Sequence, residues 1–155
     1  MRHLIALAFL ILAAPASAAD LSGPARVIDG DTIEISGQRI RLYGIDAPEG
    51  GQTCKARGAE YHCGDDATSW LVDKTAGKSV TCKGRDVDRY GRIVATCRTD
   101  DVDLNAGIVA AGWAVAYRRF SLDYVPAEND ARKARRGMWA GEFVMPWEWR
   151  RARPR

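Results

Sequence analysis

Three short stretches carry charge where strand and turn geometry does not ask for it. The first is "VIDGDTIEI", residues 27–35, in which Asp29, Asp31 and Glu34 interrupt a run of Val and Ile. Asp29-Gly30 has the makings of a hairpin turn, so Asp29 reads either as a turn residue or as a ligand. Asp31 falls just inside the returning strand, where aspartate is disfavoured. The second stretch is "RIRLYGIDAPE", residues 39–49, where Asp46 and Glu49 bracket Ala47-Pro48. Pro48 pushes Ala47 towards an extended conformation, which sets both carboxylates on a stiff turn. That turn is either a solvated acidic loop or half of a cation site. Carboxylate oxygens are the donors a hard dication such as Ca²⁺ takes, and four crowded acids without a cation would repel one another. The third stretch is "DRYGR", residues 88–92. Arg89 and Arg92 project from a tight turn, and a planar guanidinium matches two phosphate oxygens at once. Arg89 is equally suited to filling the turn. Carboxylates, a dication and arginines together outline a site for phosphoryl transfer.

Such a site needs rigid elements to hold it. Residues 24–29, 32–36 and 39–45 read as three strands. In the third, Ile40, Leu42 and Gly44 share one face, and Arg41, Tyr43 and Ile45 the other. Pro48, Gly50 and Gly51 make the next stretch a loop. A helix follows, capped by Asp65 or Asp66, with Ala67, Trp70 and Leu71 inward and Gly77 as its stop. Two more strands are expected at 79–86 and 92–99. Asp103 caps a helix that buries Leu104, Ile108 and Val109 and ends at Gly112. "WAVAY" is a brief extended piece, and "VPAENDARKARRG" is a helix with Pro126 in its first turn and Gly137 at its end. The last stretch, "MWAGEFVMPWEWRR", reads as irregular, its tryptophans packing it onto the body, with stacking on bases as the rival reading. Three strands, a helix, two strands and two helices predict an α+β domain built on a five-stranded OB-fold β-barrel with three helices.

The chain has four cysteines. If the strands around "DRYGR" pair about a centre between Arg89 and Tyr90, Cys82 faces Cys97, close enough to bridge. Cys54 and Cys63 flank a short polar segment and form the second pair. Zinc ligation is the alternative, but no CxxC spacing exists. Paired cysteines suit an oxidising compartment. So does the start of the chain: Arg2 and His3, the apolar "LIALAFLILAA" and the small-residue site "ASA" have the anatomy of a secretory signal peptide, removed near residue 19. The apolar run falls short of the about 20 residues a membrane span needs, so no stable membrane association is expected after cleavage. Residues 20–155 then form a single domain, expected to be a secreted or periplasmic monomer. The net charge of +3 says little alone, but Arg118-Arg119, the cluster from Arg132 to Arg136 and the four arginines from Arg150 to Arg155 concentrate it. Such runs are equally ordinary solvated faces.

"VIDGDT", "RIRLYGIDAPE" and "DRYGR", in this order and at these separations, resemble the thermonuclease (staphylococcal nuclease-like) family. The likeness runs from about Arg26 to Trp139 and includes "DLNAGIVAAGWAVAY". It implies Ca²⁺-dependent cleavage of DNA and RNA to 3′-phosphate products. By position it makes Asp31, Asp46 and the carbonyl of Ala47 ligands of the Ca²⁺, with Asp29 acting through a water. Glu49 would orient or deprotonate the attacking water, Arg41 and Arg92 would grip the phosphate, and Tyr90 and Tyr117 would contact the nucleotide. Two departures stand out. Ala47 replaces a frequent threonine, and the loop after Glu49, "GGQTCKARGAEYHCGDD", is not the lysine-rich loop of the type member. The alternative is a non-catalytic nucleic-acid- or protein-binding OB module, since fold does not fix function. An accessory of envelope or polysaccharide assembly is a third reading, which no residue supports directly.

Overall fold

The computed structural model describes residues 19–153. The expected signal peptide and its cleavage site fall almost wholly outside them.

Strand β1 (Leu21–Pro24) and strand β2 (Arg26–Asp29) are separated only by Ala25. β3 (Thr32–Ile35), β4 (Gln38–Leu42), β5 (Ile45–Asp46), β6 (Cys54–Ala56) and β7 (Ala59–Tyr61) follow, then helix α1 (Cys63–Thr75). β8 (Ser79–Val87) and β9 (Ile93–Arg98) make a long hairpin. They lead into α2 (Leu104–Ala110), β10 (Val115–Ala116), α3 (Val125–Lys133), a 3-10 turn (Gly137–Ala140) and α4 (Pro146–Arg151). Six strands form one mixed sheet in the order β1-β8-β9-β4-β3-β2. Its two edge strands are joined through Ala25 alone, so the sheet must curl until its edges approach. β1 and β2 act as one bent strand, which leaves the five long strands of an OB-like barrel. The sequence places that first strand at 24–29, and the structure extends it back to Leu21.

Alternation decides what the barrel encloses. Ile33, Ile35, Ile40, Leu42, Val80, Ala95 and Leu71 are buried in one cluster with Leu104, Ile108 and Val109 of α2. Asp103 caps α2 as expected, accepting from the Ala106 N–H at 2.9 Å. Cys82 stands directly opposite Cys97, and the structure contains both expected disulfides, Cys54–Cys63 and Cys82–Cys97. A bulge between Gly84 and Asp86 shifts the β8–β9 register by one residue towards the hairpin tip. The second bridge closes a separation of 15 residues, so Cys82→Ser together with Cys97→Ser is expected to lower stability by about 3 kcal/mol, read as a shift in the midpoint of urea unfolding.

Four local expectations change. Helix α1 begins at Cys63, so Asp65 and Asp66 lie in its first turn instead of capping it; they still favour the positive helix end. The loop after Glu49 contains a hairpin, β6–β7, turned by Arg57 at φ 52° and Gly58 at φ 78°. The Cys54–Cys63 bridge ties its base. Helix α3 stops at Lys133, before Arg135 at φ 52°. The segment read as irregular ends in α4, entered through Pro146 at a helix start, where its missing N–H costs nothing.

Candidate active site

The tip of the β2–β3 hairpin is a turn built from the acids themselves. The Asp31 N–H donates to Asp29 Oδ1 at 3.0 Å. Gly30 is needed by close approach: a Cβ there would press on Ala47 and Ala67, both at 2.8 Å. That contact seats the "DGDT" turn against the Asp46–Glu49 turn and against α1. Glu34, the remaining acid of the first stretch, pairs with Arg26 on the surface at 2.9 Å and stands outside the site.

Asp31 and Asp46 are both buried, and Arg41 joins them. β3 pairs with β4 so that Thr32 faces Arg41. The Arg41 guanidinium then donates to Asp31 Oδ1 at 2.9 Å and to Asp46 Oδ1 at 3.0 Å. The second oxygen of Asp31 lies 3.4 Å from the Ala47 amide. Arg92 approaches from the β8–β9 hairpin. Its Nε donates to Asp88 Oδ2 at 2.8 Å, and one terminal nitrogen reaches Thr32 Oγ1 at 3.5 Å. Thr32 Oγ1 in turn donates to Asp31 Oδ1 at 3.0 Å. An unbroken polar chain therefore runs Arg92–Thr32–Asp31–Arg41–Asp46, across three separated stretches of sequence.

Glu49 is held by what surrounds its backbone. The start of α1 packs on its carbonyl so closely that a Cβ on Gly64 would overlap it. Gln52, fully buried, accepts from the Glu49 N–H at 3.3 Å through its side chain and gives its own N–H to the Glu49 carbonyl at 2.8 Å. Its amide nitrogen donates to the Val144 carbonyl at 2.7 Å, which fastens this loop to the segment leading into α4. The Glu49 carboxylate stays partly exposed and accepts from Arg150 at 2.8 Å. The same Arg150 grips Asp46 with two nitrogens, at 3.0 and 2.8 Å.

The electrostatics follow from this crowding. Burial raises the Asp29 carboxyl to about 6, with the charge of Asp31 adding to it. Burial also raises Asp46, helped by Asp31 and opposed by Arg150 and Arg41. Arg41 is held more firmly protonated than usual: burial works against its charge, but Asp31 and Asp46 outweigh it. Asp88 is lowered: burial works the other way, but N–H groups of Arg92 and Tyr90 and the Arg92 side chain overcome it.

The donor set suits a hard dication in kind, being all oxygen. Among the described residues no three acidic, histidine or cysteine side chains gather around one point; Asp31 and Asp46 are brought together by the Arg41 guanidinium that both accept from. At the hairpin tip, Arg89 packs over Tyr90 at 4.9 Å and Arg92 lies 5.5 Å from the same ring. Tyr117 is stacked on Trp147 with centroids 5.4 Å apart and planes 8° from parallel. Thr32, Gln52, Asp88 and Arg150 join the site without having been expected there. Asp88 and Thr32 sit inside the stretches already quoted; Gln52 and Arg150 carry no local signal beyond an arginine-rich end.

A family model described as staphylococcal nuclease homologue matches residues 39–141. The chain is 40% identical to succinoglycan biosynthesis protein ExoI of Rhizobium meliloti (strain 1021), over 88% of this chain and 74% of that one. It is 38% identical to an uncharacterized endonuclease of Escherichia coli, over 97% and 98% of the two chains. It is 33% identical to a micrococcal nuclease of Shigella flexneri, over 98% and 92%. With that match and the barrel, the chain belongs to the staphylococcal nuclease family and is a phosphodiester-hydrolysing nuclease.

Proposed function

We propose that this protein is an exported, Ca²⁺-dependent nuclease that hydrolyses both DNA and RNA to 3′-phosphate products. The observation that carries the reading is the polar chain from Arg92 through Asp31 to Asp46, which gathers acids and guanidinium groups from separate loops at one place on the barrel. Asp31, Asp46 and the Ala47 carbonyl would hold Ca²⁺, with Asp29 acting through a water. When bound, the cation supplies positive charge beside the phosphate and the attacking water.

The remaining steps belong to the protein's own residues. Glu49, held at its backbone by Gln52 and α1, takes the proton from the water. Arg41, fixed by two buried carboxylates, and Arg92, fixed by Asp88 and Thr32, donate to the phosphate oxygens as negative charge builds. Tyr90 and Tyr117 contact the nucleotide, and Arg89 supplements the phosphate contacts. Two disulfides support an oxidising, secreted or periplasmic location. Among the described residues no helix is long and apolar enough to cross a membrane. A domain of this size that can fold alone supports a monomer.

The test is digestion of plasmid DNA and of a structureless RNA by the purified protein. Cleavage with Ca²⁺, its loss in EGTA and its return with excess Ca²⁺ are expected, as is phosphate retained on the 3′ ends. Cleavage indifferent to EGTA would overturn the proposed cofactor. The relative named for succinoglycan biosynthesis favours a second reading, an accessory of polysaccharide assembly. A chain serving only that role would leave both substrates intact at every Ca²⁺ concentration.

A further inference from the structure

α4 does more than close the fold. Its Arg150 points back into the carboxylate cluster, some hundred positions from it in sequence, and makes three charge-assisted hydrogen bonds there, two to Asp46 and one to Glu49. The pair with Asp46 is bidentate, the strongest form a guanidinium and a carboxylate adopt, and Asp46 is fully buried. The placement is built by independent contacts. Trp147 stacks on Tyr117, Gln52 holds the carbonyl of Val144 just before the helix, and Trp149 lies over Gly51, with Arg153 stacked on its ring at 3.8 Å. One segment therefore covers a proposed cation ligand, the proposed base and one face of a proposed nucleotide contact.

We propose that α4 is an autoinhibitory strap in which Arg150 stands in for the divalent cation, so that loading the site requires the guanidinium to leave Asp46 and Glu49. The inference rests on the reading of Asp31 and Asp46 as cation ligands. The two occupants compete for the same oxygens: Arg150 takes both oxygens of Asp46, whereas Arg41 bonds to Oδ1. Competition of this kind weakens apparent affinity by the fraction of molecules in which the strap is open; a strap open in about one molecule in ten costs about tenfold.

The test measures Ca²⁺ binding by calorimetry, without substrate, on the intact chain and on Arg150→Gln and Trp147→Leu. Arg150→Gln is expected to bind Ca²⁺ about tenfold more tightly or better, and Trp147→Leu, which loosens the strap without touching the carboxylates, to tighten it less. Hydrogen exchange supplies a second readout: saturating Ca²⁺ should speed exchange of the α4 amides in the intact chain. If both variants fold and bind Ca²⁺ with the affinity of the intact chain, or more weakly, the strap is overturned while the cation site survives. The strap falls in the same way if Ca²⁺ binds and α4 keeps its protection. If no folded chain of the three binds Ca²⁺, the cation reading falls and the strap with it.

Discussion

Glu49→Gln is expected to slow phosphodiester hydrolysis by about 10²- to 10⁴-fold, the contribution of a well-placed general base, while the protein keeps its fold. The substitution preserves shape and removes only the ability to take a proton. The fold is insulated from it, because the loop is set by backbone contacts with Gln52 and with the first turn of α1. The carboxylate's own bond is to Arg150 on a partly exposed face, where an ion pair contributes little to stability. Single-turnover cleavage of a defined oligonucleotide, beside a thermal melt, checks both halves. A variant that cleaves at the rate of the parent would remove Glu49 from the chemistry.

Arg92→Ala should cost about 10²-fold or more in the same assay, the scale of losing one preorganised donor to a developing negative charge. Arg92→Lys should recover little of it. Lysine keeps the charge but has no planar fork, and Arg92 uses that fork to be held by Asp88 through Nε and to reach Thr32 through one terminal nitrogen. Asp88→Asn provides the control. It leaves Arg92 in place with a weaker partner, so its defect should be smaller than that of Arg92→Ala. Stability should change only modestly in all three, since Arg92 sits just outside β9 and the Cys82–Cys97 bridge pins the hairpin at its other end. An Arg92→Ala protein with undiminished cleavage would refute the role.

Glu49→Gln also weakens one of the three bonds that hold Arg150. The variant is then expected to bind Ca²⁺ no more weakly than the parent even as it loses activity, a split between binding and chemistry that a merely misfolded protein would not show.

Much of this molecule is written locally. The alternation in "RIRLYGI" places Ile40 and Leu42 in the core and Arg41 across the strand from them, because successive side chains on a strand point to opposite faces. The Cys82–Cys97 pairing follows from the same arithmetic, since the bulge that shifts the register lies nearer the tip than the cysteines. Asp103 announces α2 because a cap acts on the N–H groups of the next turn. Short elements carry too little local signal to show themselves. The β6–β7 hairpin turns on Arg57-Gly58, a pair that carries no strong turn preference at its first position. α4 has six residues, too few for periodicity to show, and packing decides such a helix more than propensity does.

The acids, the arginines and the barrel that carries them are legible along the chain, because strand alternation, turn chemistry and caps all act between near neighbours. The bridge that Thr32 makes from Arg92 to Asp31, the clasp of Gln52 on Glu49 and the seat of Arg150 on Asp46 exist only in the folded molecule. The contacts of Arg92 with Thr32 and of Arg150 with Asp46 join residues 60 and 104 positions apart along the chain. No spacing rule reaches across such a distance, and the side chains meet only once the curled sheet and its packed helices have fixed where each loop stands.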